Sequence, residues 1–303
     1  MCNAKMDIQA STEAEPKVNQ AGSGQSPTRS TDSDMPADLY SGTAEAYARY
    51  RPAYPDALLD DLQQRADIAG KGRLLDLACG PGRVALPLAR HFSDVWAIDQ
   101  EPEMIEVARA RAERMGLTSI RWMVGRAEDM EAAPGSLALV TVGEAFHRLD
   151  RRAVAKRVRE WLAPGCCLAT LGCFSLMAGL EQWHDVLRAA VRPWTNRHAA
   201  GQPTSPNPAP RPRGADHDRD VLTASGFEHL GTFDFPHPHV WTLDAILGNF
   251  QSTARFSRRV LVDEAERFDA EVRSALLAFD SSGRYPETLR FGYSLFRRPR
   301  SRT

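Results

Sequence analysis

The 303-residue sequence has no excess of either charge: 38 Lys and Arg stand against 39 Asp and Glu, a formal net charge of −1. That balance leaves no basic surplus to neutralise a phosphate backbone and argues against a nucleic-acid partner. The one short basic run, "RRPRSRT" from Arg297, reads as a solvated tail. Cysteine is scarce. Cys2, Cys79, Cys166, Cys167 and Cys173 form no C-x-x-C and no paired spacing, which predicts reduced thiols rather than a disulfide framework. No apolar run is long enough to span a bilayer. The opening "MCNAKMDIQASTEAEPK" lacks the basic-then-apolar order of a secretory leader. A cytoplasmic protein without membrane association is therefore expected. No internal repeat occurs. His237-Pro238-His239 has a ligand-like spacing but no third ligand, so no metal is expected.

Residues 1–34 are rich in Ser, Thr, Gly, Pro and Gln and cannot bury much apolar surface; they read as a disordered tail. Residues 35–303 read as one domain. N-terminal helices fall at about 35–70, with Leu58, Leu59 and Leu62 on one face of the second. Strand and helix then alternate. "GRLLDLAC", "DVWAID", "IRWMV", "SLALVTVG" and "CCLATLG" read as strands. "RVALPLARHF", "PEMIEVARARAERMG" and "DRRAVAKRVREWLAPG" read as helices, the last closed by Pro-Gly. That order predicts an α/β fold with a doubly wound parallel sheet covered on both faces. Two stretches, about 174–217 and 236–286, interrupt its second half and are expected to build a ligand site.

"LLDLACGPGR", Leu74 to Arg83, carries the most chemistry. Gly80, Gly82 and Ala85 fit G-x-G-x-x-A, the dinucleotide fingerprint, and Asp99 ends the next strand where an acid can grip ribose hydroxyls. Two residues oppose a dinucleotide. Asp76 would repel a pyrophosphate and attract an ammonium group, and Pro81 removes a backbone N–H from the turn. No G-K-[ST] follows, which excludes a Walker loop. A ligand with a ribose, no phosphate and a cationic amine fits, and S-adenosylmethionine has all three. A ligand-free turn and an NAD site remain as alternatives.

These residues resemble the class I S-adenosylmethionine-dependent methyltransferases. "LLDLACGPGRVALPLA" resembles their first motif and "VWAIDQEPEMIEVARARA" their second strand and helix. "VGRAEDM" is similar to the segment bordering adenine. "VTVGEAFHRLD" and "YARYRPAYP" resemble a small-molecule subgroup with Ala-Phe-His after the fourth strand. The likeness covers about residues 40–173. It implies a three-layer, mostly parallel seven-stranded sheet with an antiparallel last hairpin and helical lid insertions forming the acceptor site.

The resemblance also implies site roles. Gly80 and Gly82 let the backbone approach the methionine part, and Asp76 faces its ammonium. Asp99 accepts from the ribose; Gln100 and Met104 line ribose and adenine. Ala127 offers its N–H to adenine, and Glu128 or Asp129 accepts from the exocyclic amine. Tyr47 and Arg51 close the site, Arg51 near the cofactor carboxylate. The subgroup often has Trp where this chain has Arg148, which makes the acceptor side more polar.

His147, just past the fourth strand, is the candidate general base, with loop packing as the alternative. Glu144 is expected beside the cofactor. Trp183 and His184 are candidates for the acceptor pocket, with core packing for Trp183 and a surface place for His184 as the competing readings; Cys79, Cys166 and Cys167 read as packing residues. The expected activity is methyl transfer to a small organic acceptor, O- or N- before C-, in secondary metabolism, leaving S-adenosylhomocysteine. A binding protein or cyclase that keeps the methyl is the alternative, and an NAD-dependent enzyme a weaker one. The oligomeric state is left open, a homodimer included.

Overall fold

The computed structural model describes residues 17–18, 40–67, 72–173, 176–197 and 215–300. Seven strands form one sheet: β1 (Arg73–Leu77), β2 (Asp94–Asp99), β3 (Ile120–Val124), β4 (Leu137–Gly143), β5 (Leu162–Cys173), β6 (Glu228–Thr242) and β7 (Arg284–Arg297). Their order across the sheet is β3-β2-β1-β4-β5-β7-β6. The first five are parallel, and β7 runs antiparallel to both β5 and β6. The central strands β1 and β4 are almost continuously buried, as strands covered on both faces must be.

Ten helices accompany the sheet among the described residues. They are α1 (Ala44–Tyr50), α2 (Asp56–Arg65), α3 (Ala85–Leu88), α4 (Pro102–Arg114), α5 (Arg151–Trp161), α6 (Gln182–Arg197), α7 (Ala215–Ala224), α8 (Leu243–Gln251), α9 (Arg258–Leu261) and α10 (Ala265–Phe279). One face of the sheet packs Leu74, Val95 and Leu139 against α2, α6 and α10. The other packs Leu75, Trp96 and Val140 against Val154 and Val158 of α5 and Leu222 of α7. Cys166 and Cys167 fall in different cores, one on each face. α4 opens on Pro102, whose missing N–H costs nothing in a first turn. Asp150 caps α5 by accepting from the Ala153 N–H at 3.1 Å. No helix among the described residues is long and apolar enough to cross a membrane.

Four sequence expectations change. Within the tail expected to be disordered, Lys17–Val18 pairs antiparallel with Met130–Glu131; its other residues lie outside the described ones. The helix expected over 83–92 shrinks to α3 and a 3₁₀ turn at Ala89–His91; Pro87, inside it, has no N–H to give. Pro164 and Gly165 do not close α5. They lie within β5, where the register jumps from Leu137↔Leu162 to Leu139↔Cys167. β6 also runs on to Thr242, paired residue by residue with β7 up to Arg284, so the helical insertion is 243–283 rather than 236–286. Pro236 and Pro238 are tolerated because β6 is an edge strand with one unpaired side. Of the first insertion, α6 is described, and its Pro-rich segment 198–214 lies outside the described residues.

The insertion packs around aromatic rings, with Trp194 of α6 at 5.4 Å and Phe256 at 5.1 Å from Phe268 of α10. It meets the N-terminal helices at one tight crossing. A Cβ on Gly248 of α8 would lie 2.2 Å from Tyr50 at the end of α1.

Candidate active site

The site forms where β1, β2 and β4 end. Behind β1 the chain turns through Ala78, Gly80 and Gly82, all with positive φ (+52°, +53° and +80°). The two glycines serve different ends. A Cβ on Gly80 would meet no heavy atom within 4 Å, so Gly80 faces open space. A Cβ on Gly82 would lie 2.9 Å from Leu86 and 3.1 Å from Trp122. Gly82 therefore lets the turn pack, and the expectation that it fronts the ligand is corrected.

Asp99 braces the turn. Its Oδ2 accepts from the Gly80 N–H at 2.8 Å and its Oδ1 from the Glu101 N–H at 3.0 Å. Burial raises its pKa, and the N–H groups of Glu101, Gly80 and Gln100 pull it back only in part. Asp76 lies under the turn, accepting from Thr141 Oγ1 at 2.8 Å and the Ala85 N–H at 3.1 Å. Burial pushes its carboxyl up to about 7 despite both bonds.

Two adjoining cavities open here. The larger, of about 890 Å³, is lined by Tyr47, Gly80, Asp99, Gln100, Met104, Ala127, Glu128 and Glu144 among the expected residues. The smaller, of about 280 Å³, shares Tyr47 and Gly80 and adds Asp76. Ten of the twelve expected site residues thus sit around one space or under its turn, Gly82 included. The two others stand apart. Arg51 donates from Nε to Ser252 Oγ at 2.8 Å and stacks 5.0 Å from the Tyr47 ring. It braces the roof from α1 to the insertion and lines neither cavity. His147 is exposed, accepts at Nε2 from Arg148 Nε at 3.2 Å, and lines neither cavity. The base expected at His147 has no geometric support.

The insertions expected to form the acceptor site contribute no lining residue to either cavity. Trp183 donates to the Pro286 carbonyl at 3.0 Å, and fully buried His184 stacks on it at 3.6 Å, so both are packing residues. Glu128 reaches the wall already engaged: its Oε1 accepts from the Asp150 N–H at 3.0 Å. Asp129 is not in the lining.

Sequence reasoning missed Arg83, Tyr54 and Tyr40. Arg83 lines the smaller cavity, pairs through Nη1 with Glu144 Oε2 at 2.8 Å, and donates to the Pro52 carbonyl. Its Nε and the Tyr54 hydroxyl are buried without a partner. Burial would lower the Arg83 pKa, yet Tyr54 and Glu144 raise it overall, and the side chain stays cationic. Burial likewise opposes ionisation of Glu144, but Arg83 and Arg51 hold its carboxyl below the usual range. Glu144 also sits at φ +54°, a strained conformation for a non-glycine residue at a strand end. The clue available was "GPGR", with its cation directly after the turn, and the Tyr of "RPAYP". Tyr40 closes the larger cavity, its N–H bonded to Glu101 Oε1 at 3.2 Å.

Known proteins fit this geometry. Residues 74–165 match a family model described as "Methyltransferase domain". Over 120 residues the chain is 34% identical to an uncharacterised methyltransferase of Mycobacterium bovis, a stretch covering 40% of this chain and 46% of that relative. Over 94 residues it is 42% identical to the ubiquinone biosynthesis O-methyltransferase of Cereibacter sphaeroides, covering 31% and 38% respectively. The chain thus spans less than half the length of these curated relatives. A solved structure from Anaeromyxobacter dehalogenans, assigned to the type II methyltransferases, superposes with a TM-score of 0.58 at 23% identity. It covers 83% of this chain and 99% of that one, a likeness of fold. The matched domain over residues 74–165, the motifs on β1 and β2 and the strand order are similar to those of the class I S-adenosylmethionine-dependent methyltransferases.

Proposed function

We propose that the protein transfers the methyl group of S-adenosylmethionine to a small organic acceptor, leaving S-adenosylhomocysteine. The observation that carries this reading is the buried Asp99 carboxylate at the cavity wall, beside a Gly80 turn that fronts open space. The residues around it suit the cofactor piece by piece. Asp99 would accept from the ribose hydroxyls, and Met104, Ala127 and Leu149 offer apolar flanks for adenine. The unpartnered Arg83 Nε and Tyr54 hydroxyl suit a carboxylate, and Asp76, across the same small cavity, suits an ammonium group. When bound, the cofactor supplies a methyl already activated by its sulfonium. The protein's part is to orient, to exclude water and to hold charge in place.

One observation keeps a second reading, a protein that binds the cofactor without spending its methyl. Every lining carboxylate already accepts a protein hydrogen bond: Asp76, Asp99, Glu101, Glu128 and Glu144. A hydroxyl acceptor would find each of these carboxylates already holding a protein donor. Methyl-labelled S-adenosylmethionine, incubated with a library of phenols, amines and acids, separates the two readings by whether S-adenosylhomocysteine forms with a labelled product.

Calorimetry tests the site itself. S-adenosylhomocysteine should bind and NAD should not, and Asp99→Ala should weaken binding by about 1.5–3 kcal/mol, the scale of hydrogen bonds to a charged group. Binding of NAD alone overturns the reading, and an unchanged affinity in the variant removes Asp99 from the site.

A further inference from the structure

The cations around the larger cavity are not equally matched. Arg83 is paired with Glu144 at 2.8 Å, and Arg126 with Glu128 at 3.4 Å. Arg148 has no acid within ion-pair distance among the described residues. Its Nε donates to His147 at 3.2 Å, and its guanidinium lies 4.7 Å from the Tyr40 ring centre. Its Nη1 is buried without a hydrogen-bond partner. A buried donor left unmade costs about 1–3 kcal/mol, and more on a charged group. Such an atom on a cavity wall is accounted for by a ligand that completes it.

The cofactor's one anionic group does not account for it. S-adenosylmethionine carries two cationic centres and a single carboxylate. That carboxylate has its own donors, Arg83 Nε and Tyr54, in the smaller cavity, which Arg148 does not line. An anion that completes this cation would come from the acceptor. Glu101, Glu128 and Glu144 line the same cavity and disfavour a doubly charged group. Ala145, whose carbonyl accepts the Arg148 N–H at 2.8 Å, lines the same cavity beside it and suits an apolar body.

We infer that Arg148 is a specificity-determining residue that holds the carboxylate of a small, monoanionic organic acid as the acceptor. The inference rests on the methyl-transfer reading, because it is the cofactor's charge that leaves Arg148 to a second ligand.

The test uses the full chain saturated with S-adenosylhomocysteine and the probes benzoate and hexanoate, each against its neutral amide, read by ligand-observed NMR. At least one acid should bind ten-fold or more tighter than its amide. Arg148→Gln should abolish that preference while leaving the affinity for S-adenosylhomocysteine within two-fold, which also shows that the variant folds. Equal binding of acid and amide, or binding of none of the four, overturns the inference. So does a ten-fold loss of S-adenosylhomocysteine affinity in Arg148→Gln, which would make Arg148 a cofactor residue. If the wild-type chain does not bind S-adenosylhomocysteine, the methyl-transfer reading itself fails, and the inference falls with it.

Discussion

The ends of β1, β2 and β4 and the aromatic body carried by α6 and residues 243–283 both bury polar groups, in opposite ways. In the second region polar atoms mostly turn inward to fasten the fold. Trp194 Nε1 donates to Glu271 at 2.8 Å, and on the adjoining strands Trp241 Nε1 of β6 donates to Glu287 of β7 at 2.7 Å. The exception is His184, 3.4 Å from the same Glu287, whose two ring nitrogens are buried without a hydrogen-bond partner and which is held by stacking on Trp183. In the first region Asp76 and Asp99 are held by protein donors, but Arg83, Tyr54 and Arg148 each keep one buried atom unmatched. Three open polar atoms around shared space describe a receptor. Aromatic rings with anchored indoles describe a buttress. The buttress reaches the receptor through the crossing of α8 with α1, where Gly248 lies against Tyr50 and Ser252 accepts from Arg51.

This division can be broken most sharply at Phe268, fully buried and ringed by Trp194, Phe250 and Phe256. Phe268→Ala should cost about 3–5 kcal/mol of stability in denaturant unfolding. Below the unfolding transition, affinity for S-adenosylhomocysteine should stay near wild type. A collapse of affinity in the folded variant would show that the two regions are one functional unit.

Next comes acidity at Asp76. Its folded pKa of about 7 lies above the unfolded carboxylate range, so the folded state holds a proton that the unfolded state releases. The associated stability is fully present below about pH 4 and is lost as pH rises through 7. At about 1.4 kcal/mol per unit over about three units, the loss is on the order of 4 kcal/mol. Unfolding free energies measured from pH 4 to 8 should fall along this window in the wild type and stay flatter in Asp76→Asn. S-adenosylhomocysteine should flatten the wild-type slope too, since its ammonium favours the ionised carboxylate. Identical slopes in wild type and variant would detach Asp76 from this account.

The smallest effect probes the seam. Gly248→Ala places a methyl group 2.2 Å from Tyr50 and must push α1 aside. Overpacking of this kind costs about 1–3 kcal/mol. Because Tyr47 rides on α1 and lines both cavities, cofactor affinity should drop a few-fold as well. A stability loss with no change in affinity would mean that the seam carries no information to the site.

The sequence made the receptor half readable because its signals are local. Gly80 and Asp99 sit at strand ends marked by apolar runs, and the acid meets the turn through one backbone hydrogen bond. What stayed hidden depends on direction rather than position. Phe146, His147 and Arg148 occupy a 3₁₀ turn, where successive side chains diverge by about 120°. Phe146 enters the core, His147 meets solvent and Arg148 lines the cavity, so an assignment one residue off names the wrong group. Arg51 was misplaced for a related reason: as the C-cap of α1 it leaves the helix in an extended conformation and binds α8's last turn through Ser252. The length of β6 was masked by Pro236 and Pro238, which mark a break in an interior strand but not at an edge.

The place of β7 has a consequence for how the protein is made. It is the last of the seven strands to leave the ribosome, yet it lies inside the sheet, between β5 and β6. Until residues 284–297 emerge, β5 exposes an unpaired edge and β6 has no partner at all. The nascent chain therefore carries a finished Gly80 turn on an unfinished sheet, with an open edge of the kind that pairs with neighbouring chains. Synthesis that stalls before residue 284 should yield an aggregating fragment, not a smaller folded protein.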